Sequence, residues 1–346
     1  MLKKRWYPYS ALYELTLRCN MQCIHCGSSA GHSRDNELRT SEWNRLTKRL
    51  SEMNCKEITI LGGEPFLHPD WFEIAQTIKD YGMRIIIVSN GLIINDAIIS
   101  QLQKIEPYAI AISIDGGTPE THDTIRQRSG SFQFCMKALQ HLQSTNLPSS
   151  VITTVNKKNL SELSLLRSHL LNKGCAWQLQ LATPLGRFPK ELALTQEEFY
   201  AAALFIATTR KIYSIKELPI IGAHCFGYNS RFLPNINLLP IWKGCQAGLS
   251  VLGVQSDGGV KGCLSLPKKF IEGNIRKNDI FDIWNNPNNF VYNRNFDATT
   301  DLNGDCINCR FGKKCKGGCL SVSTALTGKN HGDPYCLSCI EKNFIK

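Results

Sequence analysis

Short apolar runs, many of them β-branched, recur through the first half of the chain. They are ALYELTL (11–17), EITILGG (57–63), RIIIVSNG (84–91), YAIAISIDG (108–116), SVITTVN (150–156) and WQLQLA (177–182). Between them lie amphipathic stretches of helical character. Thr40 or Ser41 is placed to cap SEWNRLTKRLSEM, and Pro69-Asp70 opens DWFEIAQTIKDYG, which stops at Gly82. Asn95 opens NDAIISQLQKI and Ser131 opens SFQFCMKALQHLQS. Strands alternating with such helices predict an α/β fold, a parallel sheet covered by helices. Six repeats of the unit predict a partial (β/α)6 barrel rather than a flat dinucleotide-binding sheet. Chemistry in such barrels sits at the C-terminal strand ends. CNMQCIHC (19–26) follows the first strand, and GGEP (62–65), SNG (89–91) and SIDG (113–116) end the next three. Polar and glycine residues therefore gather at one rim.

After LTQEEFYAAALFIATTRKIY (194–213), which reads as a helix, the character changes. Residues 214–346 are rich in Gly, Asn, Pro and Cys. Their one good strand pattern is LSVLGVQSDGGVKGC (249–263), a hairpin around Asp257-Gly258-Gly259. Such a region is not expected to build a deep apolar core, so metal would hold it together. The expected organisation is a barrel over 1–213, a linker over 214–244 and a cysteine-rich domain over 245–346.

Composition adds constraints. The chain has 346 residues, 42% of them hydrophobic, enough for a large core. Its basic start, MLKKR, resembles a signal peptide, but Pro8, Ser10 and Glu14 interrupt the apolar run and no cleavage site follows. No run approaches the roughly 20 apolar residues of a membrane span. A cytoplasmic protein is expected, with no membrane association. Fifteen cysteines in such a compartment read as metal ligands rather than disulfides. Three lie at 19–26 and nine between Cys225 and Cys339, whereas Cys55, Cys135 and Cys175 read as buried packing residues. The net charge of +11 invites a nucleic-acid reading, but the basic residues are scattered apart from RFGKKCK (310–316). Thiolates holding clusters would cancel several of those charges, so no nucleic-acid partner is expected, and an acidic peptide suits the remainder.

The C-x3-C-x2-C spacing of Cys19, Cys23 and Cys26 supplies one thiol too few for a structural zinc site, and His25 and His32 are poorly placed to complete it. Three thiols on a cubane [4Fe–4S] cluster would instead leave one iron open, as at a catalytic centre. This triplet, with Gly-Gly-Glu ending the next strand, resembles the radical S-adenosylmethionine (SAM) enzymes. The resemblance implies that SAM chelates the open iron through its amino and carboxylate groups. Gly62, Gly63 and Glu64 would then meet the methionine ammonium, Asn90 or Ser113 the ribose, and Arg126 the methionine carboxylate.

The C-terminal cysteines resemble the SPASM domain that carries auxiliary clusters in this superfamily. Cys245 precedes Gly258 and Cys263, Cys306, Cys309, Cys315 and Cys319 run C-x2-C-x5-C-x3-C, and Cys336 follows after a gap. The resemblance implies an inner auxiliary cluster on Cys245, Cys263 and Cys319, and an outer one on Cys306, Cys309, Cys315 and Cys336. One or two auxiliary clusters are thus expected, of the [4Fe–4S] kind, with a smaller inner cluster as the alternative. The fourth inner position is either Cys225 or open, and Cys339 is either spare or a competitor of Cys336. A pair of zinc ribbons leaves the C-x5-C-x3-C spacing unexplained.

The same resemblance implies reductive cleavage of SAM to methionine and a 5′-deoxyadenosyl radical, which abstracts hydrogen from an unactivated C–H bond. HCGSSAG (25–31) with GGEPFLHPDWF (62–72) is most similar to maturases of ribosomally made peptides, including crosslinking ones. The expected partners are a precursor peptide and a flavodoxin- or ferredoxin-like electron donor. About ten residues precede the first strand, so the leader peptide is expected on the barrel–SPASM surface or on a separate leader-binding protein. The alternatives are a radical SAM enzyme of haem or tetrapyrrole biosynthesis, a formylglycine-forming sulfatase maturase, and a non-enzymatic electron carrier. No catalytic acid or base is identifiable.

Overall fold

The computed structural model describes residues 6–237 and 242–344, so the basic start Met1–Arg5 lies outside the described residues. Six parallel strands form the barrel: β1 (Ser10–Glu14), β2 (Glu57–Leu61), β3 (Arg84–Ser89), β4 (Ala109–Ser113), β5 (Ser149–Val155) and β6 (Ala176–Leu181). The helices between them are α1 (Thr40–Glu52), α2 (Trp71–Asp80), α3 (Asp96–Ile105), α4 (Pro119–Arg126), α5 (Ser131–Ser144) and α6 (Leu163–Leu170). Neighbouring strands pair in sequence order from β1 to β6, as expected for a β/α barrel.

The two-residue period of a strand explains the packing. Ala11, Tyr13, Ile58, Ile60, Ile85, Ile87, Ile110, Ile112, Val151, Trp177 and Leu179 are buried in one core with residues of the helices. Tyr13 packs on Trp43 of α1 with ring centroids 4.6 Å apart, and its hydroxyl shares a 3.1 Å hydrogen bond with Thr47. An aromatic pair of this kind contributes about 0.5–1.5 kcal/mol beyond its buried area. The alternate residues Leu12, Thr59, Leu61, Ile86, Val88, Ser150, Ile152, Gln178 and Gln180 are only half-buried, on the other face.

Helix starts follow local chemistry, with one correction. α1 begins at Thr40, so Arg39, not Thr40 or Ser41, is its cap residue. The Arg39 N–H donates to the Glu42 carboxylate at 2.9 Å, the bond that the acid three positions on contributes to a capping box. The Asn95 side chain caps α3. At α5 the Asp123 carboxylate accepts from the Gly130 and Phe132 N–H groups, at 2.6 and 2.9 Å. α4, absent from the sequence expectation, is capped by Thr118 and has Pro119 in its first turn.

The remaining chain adds to both edges of the sheet. After α7 (Gln196–Ile212), β7 (Ile220–Gly222) pairs in parallel with β6, inside the segment read as a linker. β8 (Val251–Val254) pairs in parallel with β1, β9 (Gly259–Lys261) returns antiparallel, and β10 (Gly273–Asn274) ends the sheet. The hairpin expected over 249–263 is therefore a continuation of the barrel sheet. This corrects the expectation that the region builds no deep apolar core. Leu252, Val254, Val260, Ile275, Ile280, Ile283, Trp284 and Phe290 all join the main core. Docking β8 on the free edge of β1 gives these residues a ready-made apolar layer that local composition cannot reveal. Five short helices complete the chain: α8 (Ile280–Asn285), α9 (Val291–Arg294), α10 (Gly312–Cys315), α11 (Leu320–Thr327) and α12 (Leu337–Phe344). No helix among the described residues is long and apolar enough to cross a membrane.

Candidate active site

The loop after β1 carries Cys19, Cys23 and Cys26 and is tied down along its length. The Cys19 N–H donates to the Gly31 carbonyl at 2.9 Å, and the Ile24 N–H to the Ile125 carbonyl at 2.9 Å. Arg187 donates to the carbonyls of Cys23 and Ala30, at 3.1 and 2.6 Å. The strand-end glycines brace the loop from the other side. The Gly63 N–H donates to the Thr16 carbonyl at 2.7 Å and the Glu64 N–H to the Arg18 carbonyl at 2.8 Å. A Cβ on Gly62 would meet the Thr16 oxygen at 2.3 Å, and one on Gly63 the Arg18 oxygen at 2.2 Å. The paired glycines thus allow the end of β2 to lie directly on the cysteine loop.

The three thiols are electrostatic neighbours. Burial pushes Cys19 up to about 11, with Cys23 and Cys26 adding to the rise, and burial likewise pushes Cys23 up. Without a cation the Cys19 and Cys23 sulfurs stay protonated, whereas bound metal deprotonates coordinating thiols outright. Soft donors on one loop, Cys23 buried and Cys19 and Cys26 half-buried, with none in a disulfide, suit iron–sulfur coordination, so the residues fit the cluster.

The other rim residues converge, though not all as expected. Glu64 is fully buried and its carboxylate accepts from the Ser89 hydroxyl at 2.9 Å and the Asn90 N–H at 2.8 Å. Burial pushes it up to about 7. Its side chain therefore braces the end of β3. Asn90 reaches the cysteine loop, donating to the Asn20 side chain at 2.7 Å and lying 3.8 Å from Cys19 Sγ. Ser113 is half-buried at the end of β4.

Arg126, at the end of α4, is buried and pairs with Asp115 at 2.5 Å. Its Nη1 lies 3.8 Å from Cys23 Sγ, and its Nε has no hydrogen-bond partner. Asp115 also lies 3.3 Å from His25 Nε2 and accepts from the Thr154 N–H at 2.7 Å. Burial holds His25 down at about 4, so its imidazole is neutral. The arginine expected to meet an external carboxylate thus already holds one of the chain's own. Asp115 and His25 were missed by sequence reasoning. Both lie inside quoted motifs, SIDG and CIHC, but nothing local signals that α4 brings an arginine between them.

The C-terminal cysteines fall into two groups. Cys319 feels Cys245 and Cys225, Cys245 feels Cys263, and Cys225 feels Cys263. Cys225 is thus a neighbour of the expected inner set, and its sulfur accepts from the Leu181 N–H at 3.4 Å. Cys306, Cys309, Cys315 and Cys336 line one recess together with Tyr228 and Asp333. The Cys339 thiol lies against Cys336. Asp333 bridges the groups: it accepts from the Tyr228 hydroxyl at 2.7 Å and the Cys319 N–H at 3.1 Å. Tyr228 stacks on Trp242 at 4.4 Å, and the Trp242 indole donates to the Cys315 carbonyl at 3.3 Å. Cys55, Cys135 and Cys175 are buried in the main core.

An open parallel barrel whose strand-end loops converge on three free thiols is the architecture of a cluster-bearing, SAM-cleaving enzyme. Comparison with known proteins agrees. The family model for the radical SAM superfamily matches residues 13–168, and that of the iron–sulfur cluster-binding SPASM domain matches 245–310. The chain is a radical SAM enzyme with a C-terminal SPASM domain, and its cofactors are SAM and iron–sulfur clusters. It is 28% identical to the AdoMet-dependent heme synthase of Methanosarcina barkeri, over 95% of this chain and 96% of that protein. It is 27% identical to the mycofactocin maturase MftC of Mycobacterium ulcerans, over 95% of this chain and 88% of that one. Streptococcus suis SuiB bound to S-adenosylmethionine shares the fold, with a TM-score of 0.76 at 15% identity, over 95% of this chain and 77% of SuiB. So does anSMEcpe with bound AdoMet, with a TM-score of 0.75 at 17% identity, over 96% of each chain.

Proposed function

We propose that the enzyme oxidatively modifies, most simply by crosslinking, a ribosomally made precursor peptide. The observation that carries this reading is the chemistry of the half-buried sheet face. Thr59, Ser150, Gln178 and Gln180 present uncharged hydroxyl and amide groups there, and the Gln180 amide donates to Thr154 at 2.9 Å. Such groups match peptide amides. Of the arginines near the mouth, Arg34 is spent on Glu14 at 2.7 Å and Arg187 on loop carbonyls, Arg126 keeps only its Nε beyond the pair with Asp115, and Arg18 is exposed. A tetrapyrrole with several carboxylates calls for arginines held in reserve.

Cys19, Cys23 and Cys26 hold the barrel cluster in this reading. Cys245, Cys263 and Cys319 hold the inner auxiliary cluster, with Cys225 as fourth thiol, and Cys306, Cys309, Cys315 and Cys336 hold the outer one. When bound, cluster and SAM together supply the 5′-deoxyadenosyl radical that takes hydrogen from substrate carbon. Arg126, whose Nε is unpartnered, faces the methionine carboxylate, while the Gly62-Gly63-Glu64 backbone and Asn90 or Ser113 orient the rest of SAM. A flavodoxin- or ferredoxin-like protein supplies electrons. The leader peptide binds the barrel–SPASM surface or a separate protein.

The test is anaerobic reconstitution with SAM and dithionite, followed by parallel incubations with a small precursor peptide encoded beside this protein and with an iron porphyrin. Expected are 5′-deoxyadenosine and a peptide lighter by a pair of hydrogens. Turnover of the porphyrin with none of the peptide overturns the assignment in favour of tetrapyrrole chemistry.

A further inference from the structure

Tyr292 sits in the short helix α9, and its hydroxyl is buried without a hydrogen-bond partner. A buried phenol without a partner costs about 1–3 kcal/mol, so the site calls for an acceptor. The ring packs edge-on against Phe270 at 4.9 Å. Tyr292, Cys245 and Cys263 all pack against one small core of Ala247, Leu266, Phe270 and Leu320. The hydroxyl points at the residue before Cys263: a Cβ on Gly262 would lie 2.3 Å from it. The glycine leaves room for the phenol at the point where the chain turns into a cysteine. The next residue, Asn293, fixes the placement, donating to the carbonyls of Cys245 and Ala247 at 2.7 and 2.8 Å.

We propose that Tyr292 is a positioning residue of the inner auxiliary cluster, its phenolic hydrogen donated to the sulfur of Cys245, Cys263 or an adjoining sulfide. This rests on the ligand assignment made above. A hydrogen bond to cluster sulfur stabilises the reduced, more negative state and raises the reduction potential. The phenol is protonated at neutral pH on its ordinary chemistry alone.

The experiment uses anaerobically reconstituted full-length protein, with iron and sulfide assayed before any potential is measured. Cys263→Ala should lose the iron of one cluster; if it keeps full iron, the ligand assignment fails. Tyr292→Phe should retain its iron while one auxiliary midpoint, followed by EPR-monitored titration, moves to more negative potential. The expected size is about a tenfold fall in the reduced-to-oxidised ratio at fixed potential, about 59 mV for one electron. The barrel cluster's midpoint should stay in place. Phe270→Leu, which disturbs only the packing, should not reproduce the shift. An unmoved midpoint in fully loaded Tyr292→Phe overturns the proposal. Should that variant lose iron, fluorotyrosine at position 292 decides, since it keeps the shape but donates more strongly. It should move the same midpoint the opposite way, and no movement overturns the proposal equally.

Discussion

The cysteine loop at the barrel mouth and the outer cysteine segment carry similar chemistry on different foundations. At the mouth the backbone is anchored at long range, Cys19 to Gly31 and Ile24 to Ile125, with Arg187 bracing it from beyond β6. In the outer segment the N–H groups of Cys306, Cys309 and Cys315 bond to carbonyls only three or four residues back, those of Asn303, Cys306 and Phe311. Ties from farther off supplement them: the Trp242 indole donates to the Cys315 carbonyl, the Asn303 N–H to the His331 carbonyl, and His331 Nδ1 lies 2.7 Å from the Lys316 carbonyl. The first site is preformed by the fold. The second, bonded mostly to its own near neighbours, would lean more on bound metal for its shape, as small thiolate sites do.

The largest effect is expected from Cys23→Ala. It should reduce 5′-deoxyadenosine to background under strong reductant, while circular dichroism and thermal unfolding stay close to the parent. Loss of folding in that variant would break the contrast, because the mouth would then be as metal-dependent as the outer segment. Cys315→Ala should behave differently. SAM cleavage persists in part, peptide product disappears, and limited proteolysis finds new cuts between residues 295 and 319. A protected segment with normal turnover would make the outer cluster dispensable.

The smallest effect concerns Glu64, which braces the mouth without metal. Its folded-state value is raised from 4.5 to about 7, so the native state holds a proton that the unfolded chain releases between those values. Stability should therefore fall as pH rises from about 4.5 to about 7 and level off above, by on the order of 3 kcal/mol at most. Glu64→Gln, measured by denaturant unfolding of the cluster-free protein, should flatten that slope. A steeper slope in the variant would remove Glu64 from the account.

The barrel was legible because its strands and helices are each encoded by local periodicity. The cysteine spacing was legible because ligand loops are short. The destination of Glu64 and Arg126 was not, since it depends on β3 coming alongside from 25 residues away and on α4 folding Arg126 back onto Asp115. Nor could composition show that Trp284 and Phe290 bury themselves in the barrel's core. That burial exists only because a hairpin some 240 residues downstream finds the open edge of β1. Tyr292 left no trace in any motif; only an unsatisfied hydroxyl beside Gly262 reveals it.

That edge pairing also sets a ruler. Cys19 follows β1, Cys263 follows β9, and β8 lies between them in a single ladder. Two strand spacings set them roughly 10 Å apart across the sheet, and because β9 runs antiparallel to β8, Cys263 emerges near the start of β1 while Cys19 lies beyond its end, offsets no hinge can alter without breaking main-chain bonds. Tunnelling between redox centres falls steeply with separation, so were both cysteines to hold clusters, the span between them would be set by the backbone, whichever guest occupies the chamber.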